Sequence, residues 1–185
     1  MQPTVVEIAT ALNLCPHPEG GFFRETYRAA DELETPRGPR AACTAILFLV
    51  SGAAPSRLHR LASDELWIAQ AGLPVELATI TPGGELKRHL LGQSYGVWDG
   101  SGFVAGELEA PAPQVLVPAG HWQGARLAQV SGAVESQSGD RDWSLVSCVV
   151  TPGFSFEDFK LGERAALLAE YPQHEHLITA LTLAG

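Results

Sequence analysis

The sequence has few cysteines, and their positions argue against a disulfide scaffold. Its 185 residues contain three, Cys15, Cys43 and Cys148, and none of them forms a CxxC motif. An odd number of widely spaced cysteines, with no basic and apolar leader before them, does not indicate secretion or paired thiols. We therefore expect a cytoplasmic protein with reduced cysteines. Cys148 lies in the apolar run LVSCVV, which predicts a buried and unreactive thiol.

Long hydrophobic runs and an excess of positive charge are also lacking. The longest apolar run, AACTAILFLV at residues 41–50, is far shorter than the roughly 20 residues that a membrane-spanning helix needs. The chain has 12 Lys and Arg residues against 21 Asp and Glu residues, which gives a formal net charge of −9. We therefore expect neither a membrane span nor a nucleic-acid-binding surface.

Short β-type segments separated by glycine and proline fill most of the chain. GFFRETYRA, TAILFLV, DELWIAQA and WSLVSCVV are rich in β-branched or aromatic residues and are bounded by turn residues. In ITPGGEL, two such segments are joined by glycines that can adopt positive φ, which predicts an antiparallel hairpin. The pattern predicts one all-β domain, a sandwich or a barrel, over residues 1–185.

Helical periodicity is confined to the two ends of the sequence. Apolar residues recur at helical spacing in TVVEIATALNL, which predicts a short helix over about residues 4–14, before the prolines and glycines of CPHPEGG. GERAALLAEYP and EHLITALTLAG predict C-terminal helices over about residues 161–183. The polar stretch AADELETPRGPRAA at residues 29–42 predicts a mobile loop.

Four motifs in a fixed order are similar to those of a small subfamily of the cupin superfamily. They are PHPEGGFFRETYR at residues 16–28, HRLASDELW at 59–67, LVPAGHWQGA at 116–125 and VVTPGFSFEDFKL at 149–161. The resemblance implies a double-stranded β-helix, or jelly roll, over about residues 20–160, and a homodimer. We expect the glycines of EGG and TPGF to form tight turns, and the phenylalanines of FSFEDF to cluster under the C-terminal helix.

The metal-binding motifs of cupins are present here only in reduced form. Those motifs have the forms G(X)5HXH(X)3–4E(X)6G and PxGxxH. Glu65 matches the carboxylate of the first, but only one histidine, His59, remains, and Arg57 stands where the other would be. Gln123 occupies the histidine position of the second, with His121 two residues earlier. The resemblance therefore implies a possible divalent metal held by His59, Glu65 and Gln123, with much of the usual affinity lost.

Strand alternation places further polar residues near this set. Glu65 and Trp67 share one strand face, and His121 and Gln123 share another, so these side chains can line the mouth of the barrel. The simpler alternative is that Trp67 packs in the core and that polar side chains such as Asp64 bind loop backbone groups.

The strand RETYR offers two alternative sets of pocket residues. Alternation puts Glu25 and Tyr27 on one face and Arg24 and Thr26 on the other. An inward Arg24 would bind a carboxylate or phosphate, and an inward Tyr27 would offer a proton. We predict a pocket for a small polar ligand. Its ligand-binding candidates are Arg24, Glu25, Ser56, Asp64, Trp67, His121 and Gln123.

Three functions are open for this pocket. RLHR is similar to a stretch in cupin-class sugar-nucleotide epimerases, which implies a sugar isomerase or epimerase. In that case His59 acts as the base on a proton α to a carbonyl, Glu65 or Asp64 assists, and Tyr27 returns a proton. The second function is a metal-dependent oxygenase or isomerase, and the third is a ligand-binding or storage-like module without catalysis. The fold does not decide among them.

Overall fold

Strands dominate the computed structural model, which describes residues 2–92, 112–128 and 139–183. Parts of the predicted jelly roll, residues 93–111 and 129–138, lie outside the described residues. The strands are β1 (Cys15–Pro16), β2 (Phe22–Arg28), β3 (Glu32–Leu33), β4 (Arg40–Ala41), β5 (Thr44–Ser51), β6 (Ser56–Leu61), β7 (Asp64–Gly72), β8 (Val75–Ile80), β9 (Leu86–Leu91), β10 (Gln114–Val117), β11 (Trp122–Leu127), β12 (Trp143–Thr151) and β13 (Phe159–Leu161).

The strands form two antiparallel sheets with a hydrophobic core between them. One sheet has the order β1-β2-β5-β12-β7-β10 and the other has the order β13-β6-β11-β8-β9. Residues of both sheets meet in one cluster, to which the first sheet contributes Phe48 and Trp67 and the second contributes Leu77 and Ala125. Packing of the two sheets against each other removes these side chains from water. The expected double-stranded β-helix is confirmed.

Three short α-helices lie at the ends of the chain, as expected. They are α1 (Val5–Ala11), α2 (Arg164–Glu170) and α3 (Glu175–Ala180), and 3-10 turns are formed by Phe156–Asp158 and Pro172–His174. Thr4 and Glu7 form a capping box that fixes the start of α1. None of the helices in the described ranges is long and apolar enough to cross a membrane.

The helices cover the outer faces of the two sheets. Ile8 of α1 packs with Leu49 of β5 and Trp143 of β12, on the first sheet. Leu167 of α2 and Ile178 of α3 belong to a cluster on the second sheet. That cluster also contains Leu58, Ala78, Ile80, Trp122, Tyr171, Leu177 and Leu181. The helices are a few residues shorter than predicted, since residues 12–14 and 181–183 are not helical.

The stretch at residues 29–42 differs from its prediction. Instead of a mobile loop it contains the two-stranded ribbon β3–β4, with Glu32 opposite Ala41. Arg40 fixes this ribbon, because its Nε donates a hydrogen bond to Asp158 Oδ2 at 2.9 Å. The ion pair joins residues more than a hundred positions apart, so the local sequence does not predict it. The polar composition of the stretch therefore wrongly indicated a mobile loop.

The phenylalanines of FSFEDF also lie elsewhere than predicted. Phe156 and Phe159 pack around His17 rather than under the C-terminal helix, with ring centroids 6.2 and 5.8 Å from the imidazole. Phe159 stacks on His59 as well, at 5.5 Å between centroids. The aromatic cluster therefore belongs to the surroundings of the two histidines.

Two β-bulges decide which side chains point inward near these histidines. Ser56 and His59 of β6 pair with Ala125 and Gln123 of β11, so β6 has one residue more than β11 between these pairs. Because of this bulge, the side chains of Ser56 and His59 can point to the same side. In β2, Glu25 pairs with Ile46 and Tyr27 with Ala45, so Thr26 is the extra residue. The alternation predicted for RETYR is therefore shifted after Glu25.

Candidate functional site

A cavity of about 420 Å³ opens between the first sheet and β6. Its walls come from β2, β5, β6 and β12, from the ribbon β3–β4, and from the segments around His17 and Phe154. The volume lies within the range of roughly 300–1,000 Å³ that is typical of small-molecule sites. Its lining combines buried ionisable groups with phenylalanine side chains, which is the composition expected of a site that orients a polar ligand.

His59 lies on the floor of this cavity, with 2% of its surface exposed. Its Nδ1 is 2.8 Å from the carbonyl oxygen of Arg57. Its Nε2 is 3.4 Å from Glu19 Oε2 and 4.0 Å from Glu65 Oε2. Because both ring nitrogens face oxygen acceptors, the doubly protonated imidazolium is the form that these surroundings satisfy.

The charge of His59 follows from its neighbours. Burial alone lowers the pKa of the ring, but the charge of Glu19, the hydrogen bond and charge of Glu65, and the Arg57 carbonyl raise the pKa to about 9. At neutral pH the imidazole therefore carries a proton on each nitrogen. A ring in this form cannot accept a proton, so it does not suit the base role predicted for His59.

Glu19 is the carboxylate that the sequence interpretation missed. It is buried in the loop before β2, where Ser56 Oγ donates a hydrogen bond to Oε1 at 2.7 Å. The Oε2 atom lies 3.3 Å from His17 Nδ1. Burial raises the pKa of Glu19, but the charge of His59 and the contacts with His17 and Ser56 outweigh it and hold the pKa below its usual value.

The local sequence around Glu19 explains its position. Gly20 and Gly21 both adopt positive φ, and a Cβ on Gly20 would collide with the carbonyl oxygen of Pro55. The loop therefore runs directly against the start of β6 and places Glu19 beside Ser56 and His59. The available signal is an acidic residue between a proline and two glycines in the first of the four motifs, where the glycines by themselves predict only a turn.

Glu65 is oriented by a chain of hydrogen bonds between two strands. Trp67 Nε1 donates to Gln123 Oε1 at 2.9 Å, and Gln123 Nε2 donates to Glu65 Oε2 at 2.5 Å. Since an indole N–H can only donate, it fixes the amide with its NH₂ group toward Glu65. The oxygen of Glu65 supplies the acceptor that this NH₂ group needs.

The ligand set implied by resemblance for a divalent metal does not fit this arrangement. The carbonyl oxygen of Gln123, its only metal-binding atom, is already bound by Trp67. Both ring nitrogens of His59 are directed at protein oxygens, Nδ1 at the Arg57 carbonyl at 2.8 Å and Nε2 at Glu19 at 3.4 Å. In residues 2–92, 112–128 and 139–183, no group of three or more His, Cys, Asp or Glu side chains is arranged to hold a metal ion.

The remaining predicted site residues fall into two groups. Ser56 lies beside Glu19, and Glu25 lines the mouth of the cavity, where it pairs with Arg28 at 2.7 Å. Arg24 and Tyr27 do not line the cavity, and Tyr27 is 55% exposed. The bulge at Thr26 is the reason, because it brings Arg28 rather than Tyr27 onto the face of Glu25.

Asp64, Trp67 and His121 have structural positions next to the site. Asp64 Oδ1 accepts a hydrogen bond from the backbone N–H of Ala119 at 2.8 Å, so this exposed carboxylate holds a loop. Trp67 is buried in the core between the sheets, and it reaches the cavity only through Gln123. His121 lies 3.4 Å from the Ala119 carbonyl oxygen and does not line the cavity.

Cys148 belongs to the cavity wall, although its thiol is buried. Burial raises its pKa well above the usual value, and the nearby charges of Glu65 and Glu19 add to this effect. The three cysteines of the chain are unpaired. Cys148 is therefore held as a neutral thiol, in agreement with its apolar sequence context.

Comparisons with known proteins give one consistent result. A sequence profile described as "Cupin superfamily (DUF985)" matches residues 6–162. A hypothetical protein from Leishmania major is 36% identical, with a TM-score of 0.78 over 98% of this chain and 100% of that chain. A protein from Shewanella oneidensis is 33% identical, with a TM-score of 0.79 over 99% of each chain.

Oxalate decarboxylases share the architecture at much lower identity. The enzyme from Lactobacillus farciminis, solved as a formate complex, is 12% identical, with a TM-score of 0.51 over 93% of this chain and 42% of that chain. A likeness of this kind concerns the fold. No curated protein matches the chain significantly.

Proposed function

The chain belongs to the DUF985 family of the cupin superfamily, and from this premise we propose that its cavity binds a small polar carbonyl compound and transfers a proton on it. The observation that carries the proposal is the position of His59, buried on the cavity floor with its Nε2 directed at Glu19 and Glu65. A fixed acid beside a fixed carboxylate is the arrangement that proton abstraction next to a carbonyl needs.

The two carboxylates have different roles in this proposal. Glu19 is engaged by Ser56 and His17 as well as His59, so it orients His59 and keeps it protonated. Glu65 lines the cavity, where its Oε2 accepts a hydrogen bond from Gln123 and lies 4.0 Å from His59 Nε2. Glu65 is therefore the proton acceptor, and His59 is the acid.

The proposed step is an isomerisation of an α-hydroxy carbonyl compound through an enediol. Glu65 takes the proton from the carbon α to the carbonyl, the electron pair of that C–H bond forms a C=C bond, and the carbonyl oxygen receives a proton from His59. Glu65 then delivers its proton to the former carbonyl carbon, while the neighbouring hydroxyl gives its proton to His59 and becomes the new carbonyl. Return of the proton to the original carbon instead gives exchange with solvent hydrogen.

The charge of the lining favours a carbonyl compound without a phosphate. Arg28 donates from Nε and Nη2 to Glu25 and from Nη1 to the Phe154 carbonyl oxygen. Arg40 likewise donates from all three nitrogens to protein oxygens. The guanidinium groups that line the described cavity are thus engaged, which argues for a free sugar rather than a sugar nucleotide.

Exchange of carbon-bound hydrogen in D₂O tests the proposal. Dihydroxyacetone, D-fructose and D-xylulose are incubated with the protein, and loss of the α-proton is followed by ¹H NMR. We expect exchange with the wild type and with Glu85→Gln, whose carboxylate is exposed and lies in a β8–β9 turn. In Glu65→Gln the rate should fall by about 10²–10⁴-fold.

The other outcomes separate the alternative functions. Saturable binding of a probe without exchange would make the chain a non-catalytic binding module. Neither binding nor exchange by any of the three probes would overturn the proposal.

We also propose a homodimer in solution, as the resemblance implies. Static light scattering after gel filtration measures the molar mass, and the value of a single 19.7 kDa chain would contradict a dimer.

A further inference from the structure

The floor of the cavity holds two carboxylates and one cation. Glu19 and Glu65 are 6% and 5% exposed, and His59 lies between them. The second imidazole, His17, is engaged by Glu19 alone, because its Nδ1 lies 3.3 Å from both the backbone nitrogen and Oε2 of Glu19. Among the described residues, the cationic group that Glu65 faces is His59, whose Nε2 lies 4.0 Å away and is closer to Glu19.

Hydrogen-bond donors face both carboxylates of the floor. The pKa of Glu19 is held below its usual value. Glu65 accepts from an amide whose orientation is fixed by the donor-only indole of Trp67. A buried charge without a partner is costly, and a positive ligand group would relieve that cost.

The rest of the described lining is negative as well. Besides the floor, Glu25 and Glu32 line the cavity, against Arg28 and Arg40. That makes four carboxylates against two guanidinium groups and the His59 imidazolium. Arg40 is further shared with Asp158 and Glu157. Anions would meet these carboxylates, and each nitrogen of the two guanidinium groups already donates to a protein oxygen.

Aromatic rings complete the surroundings that a cation prefers. Phe23, Phe48, Phe154 and Phe156 line the cavity. The faces of aromatic rings carry negative potential and attract ammonium groups, most strongly where water is displaced. Rings and carboxylates together form the surface that recognises an organic cation.

From these observations we propose that the natural ligand carries a protonated amine, as an amino sugar or a related aminated carbonyl compound does. The inference rests on the proposed function, because it assigns the chemical class of the ligand of that same cavity. The ammonium group places a positive charge beside Glu65, whose cationic neighbour His59 is 4.0 Å away.

Three probes of similar size and different charge test the inference: ethanolamine, ethylene glycol and glycolate. Each is titrated at constant ionic strength into ¹⁵N-labelled wild-type protein, up to about 100 mM, and the indole signal of Trp67 and the backbone signals of the cavity floor are followed. We expect ethanolamine to bind at least about tenfold more tightly than glycolate, with ethylene glycol between them. Equal or tighter binding of glycolate, or no shifts with ethanolamine, would overturn the proposal.

A charge-removing variant locates the preference within the cavity. Glu65→Gln should bind ethanolamine and glycolate with similar affinity, whereas Glu85→Gln should keep the wild-type preference. If Glu65→Gln still binds ethanolamine more tightly than glycolate, Glu65 is not the group that selects a cation. If Glu65→Gln does not fold, the probe series on the wild type still decides. Ligand charge is measured here without turnover, so a cation preference without hydrogen exchange would refute the catalytic proposal alone.

Discussion

At the scale of single residues, His59 takes its charge from its neighbours rather than from its own chemistry. Its ordinary pKa is 6.5, whereas the carboxylates of Glu19 and Glu65 raise it to about 9 in the folded protein. The folded state binds this proton more tightly than the unfolded chain. The interaction of His59 with Glu19 and Glu65 therefore contributes its full stabilisation below about pH 6.5. The contribution is lost as the pH rises to about 9.

This linkage predicts a loss of stability on the order of 3 kcal/mol between about pH 6 and pH 9. Urea denaturation across this range measures it. His59→Gln should be less stable at about pH 6 and should lose most of the pH dependence. The matched control is His121→Gln, whose imidazole has only a long contact with Ala119, and it should keep the wild-type slope. An unchanged slope in His59→Gln would show that other groups cause it.

Gln123 is the residue whose amide cannot be replaced by a carboxylate. In Gln123→Glu a second carboxyl group faces Glu65 at the former hydrogen bond, while Trp67 still donates to its other oxygen. We expect the free energy of unfolding at neutral pH to fall by about 1–3 kcal/mol, with a smaller loss in acid. Urea denaturation measures the change. Gln173→Glu, at an exposed position, is the control, and equal stability of the two variants would refute the role of the amide.

At the scale of elements, the strands were predictable from the sequence and the site geometry was not. Glycine and proline mark the turns, and the β-branched segments between them gave β5, β7, β8 and β12. The sheet partners of a strand depend on distant residues, so the bulges in β2 and β6 leave no pattern in one sequence. His59, Glu65 and Gln123 were predicted as site residues, and the structure brings them together.

Glu19 and Tyr27 show where prediction of the site fails. Glu19 enters through a loop whose path depends on contact between Gly20 and Pro55, which composition does not encode. Tyr27 was placed by strict alternation, and a single extra residue in β2 moves it to the exposed face. Local sequence patterns therefore predict the strands and helices, whereas irregularities such as the bulge in β2 determine which side chains reach the site.

The loop before β2 is itself testable through its glycines. Gly20→Ala adds a Cβ against the carbonyl oxygen of Pro55 at a φ of +110°, so the loop that carries Glu19 must move. We expect a loss of more than about 1 kcal/mol in the free energy of unfolding. Gly52→Ala is the matched control, since nothing lies within 4 Å of its added Cβ. If both variants were equally stable in urea, the close approach would not matter.

At the scale of the whole molecule, metal should contribute nothing to stability. Within the predicted set, the Gln123 carbonyl oxygen already accepts from Trp67, and the ring nitrogens of His59 face the Arg57 carbonyl and Glu19. Protein purified without chelators should contain metal well below one ion per chain by mass spectrometry, and EDTA should leave the Tm unchanged. Stoichiometric metal together with a lower Tm after chelation would contradict this prediction.

The three hydrophobic clusters share strands, and this predicts one cooperative unfolding transition. Strand β8 gives Leu77 to the cluster between the sheets and Ile80 to the cluster under the C-terminal helices. Strand β5 similarly joins the first of these to the cluster under α1. No cluster can lose its packing without disturbing a strand of another, so we expect a single all-or-none transition.

The tryptophans allow a direct test of this cooperativity. Trp67, Trp122 and Trp143 lie one in each of the three clusters. Urea transitions followed by tryptophan fluorescence should coincide with those followed by far-UV circular dichroism, and Trp122→Phe and Trp143→Phe should each keep coincident transitions at their own midpoints. If fluorescence changed before the β signal in the wild type but not in Trp122→Phe, the helix-covered face would unfold separately. The outer cluster would then be an independent unit, and the cavity between the sheets would not depend on it.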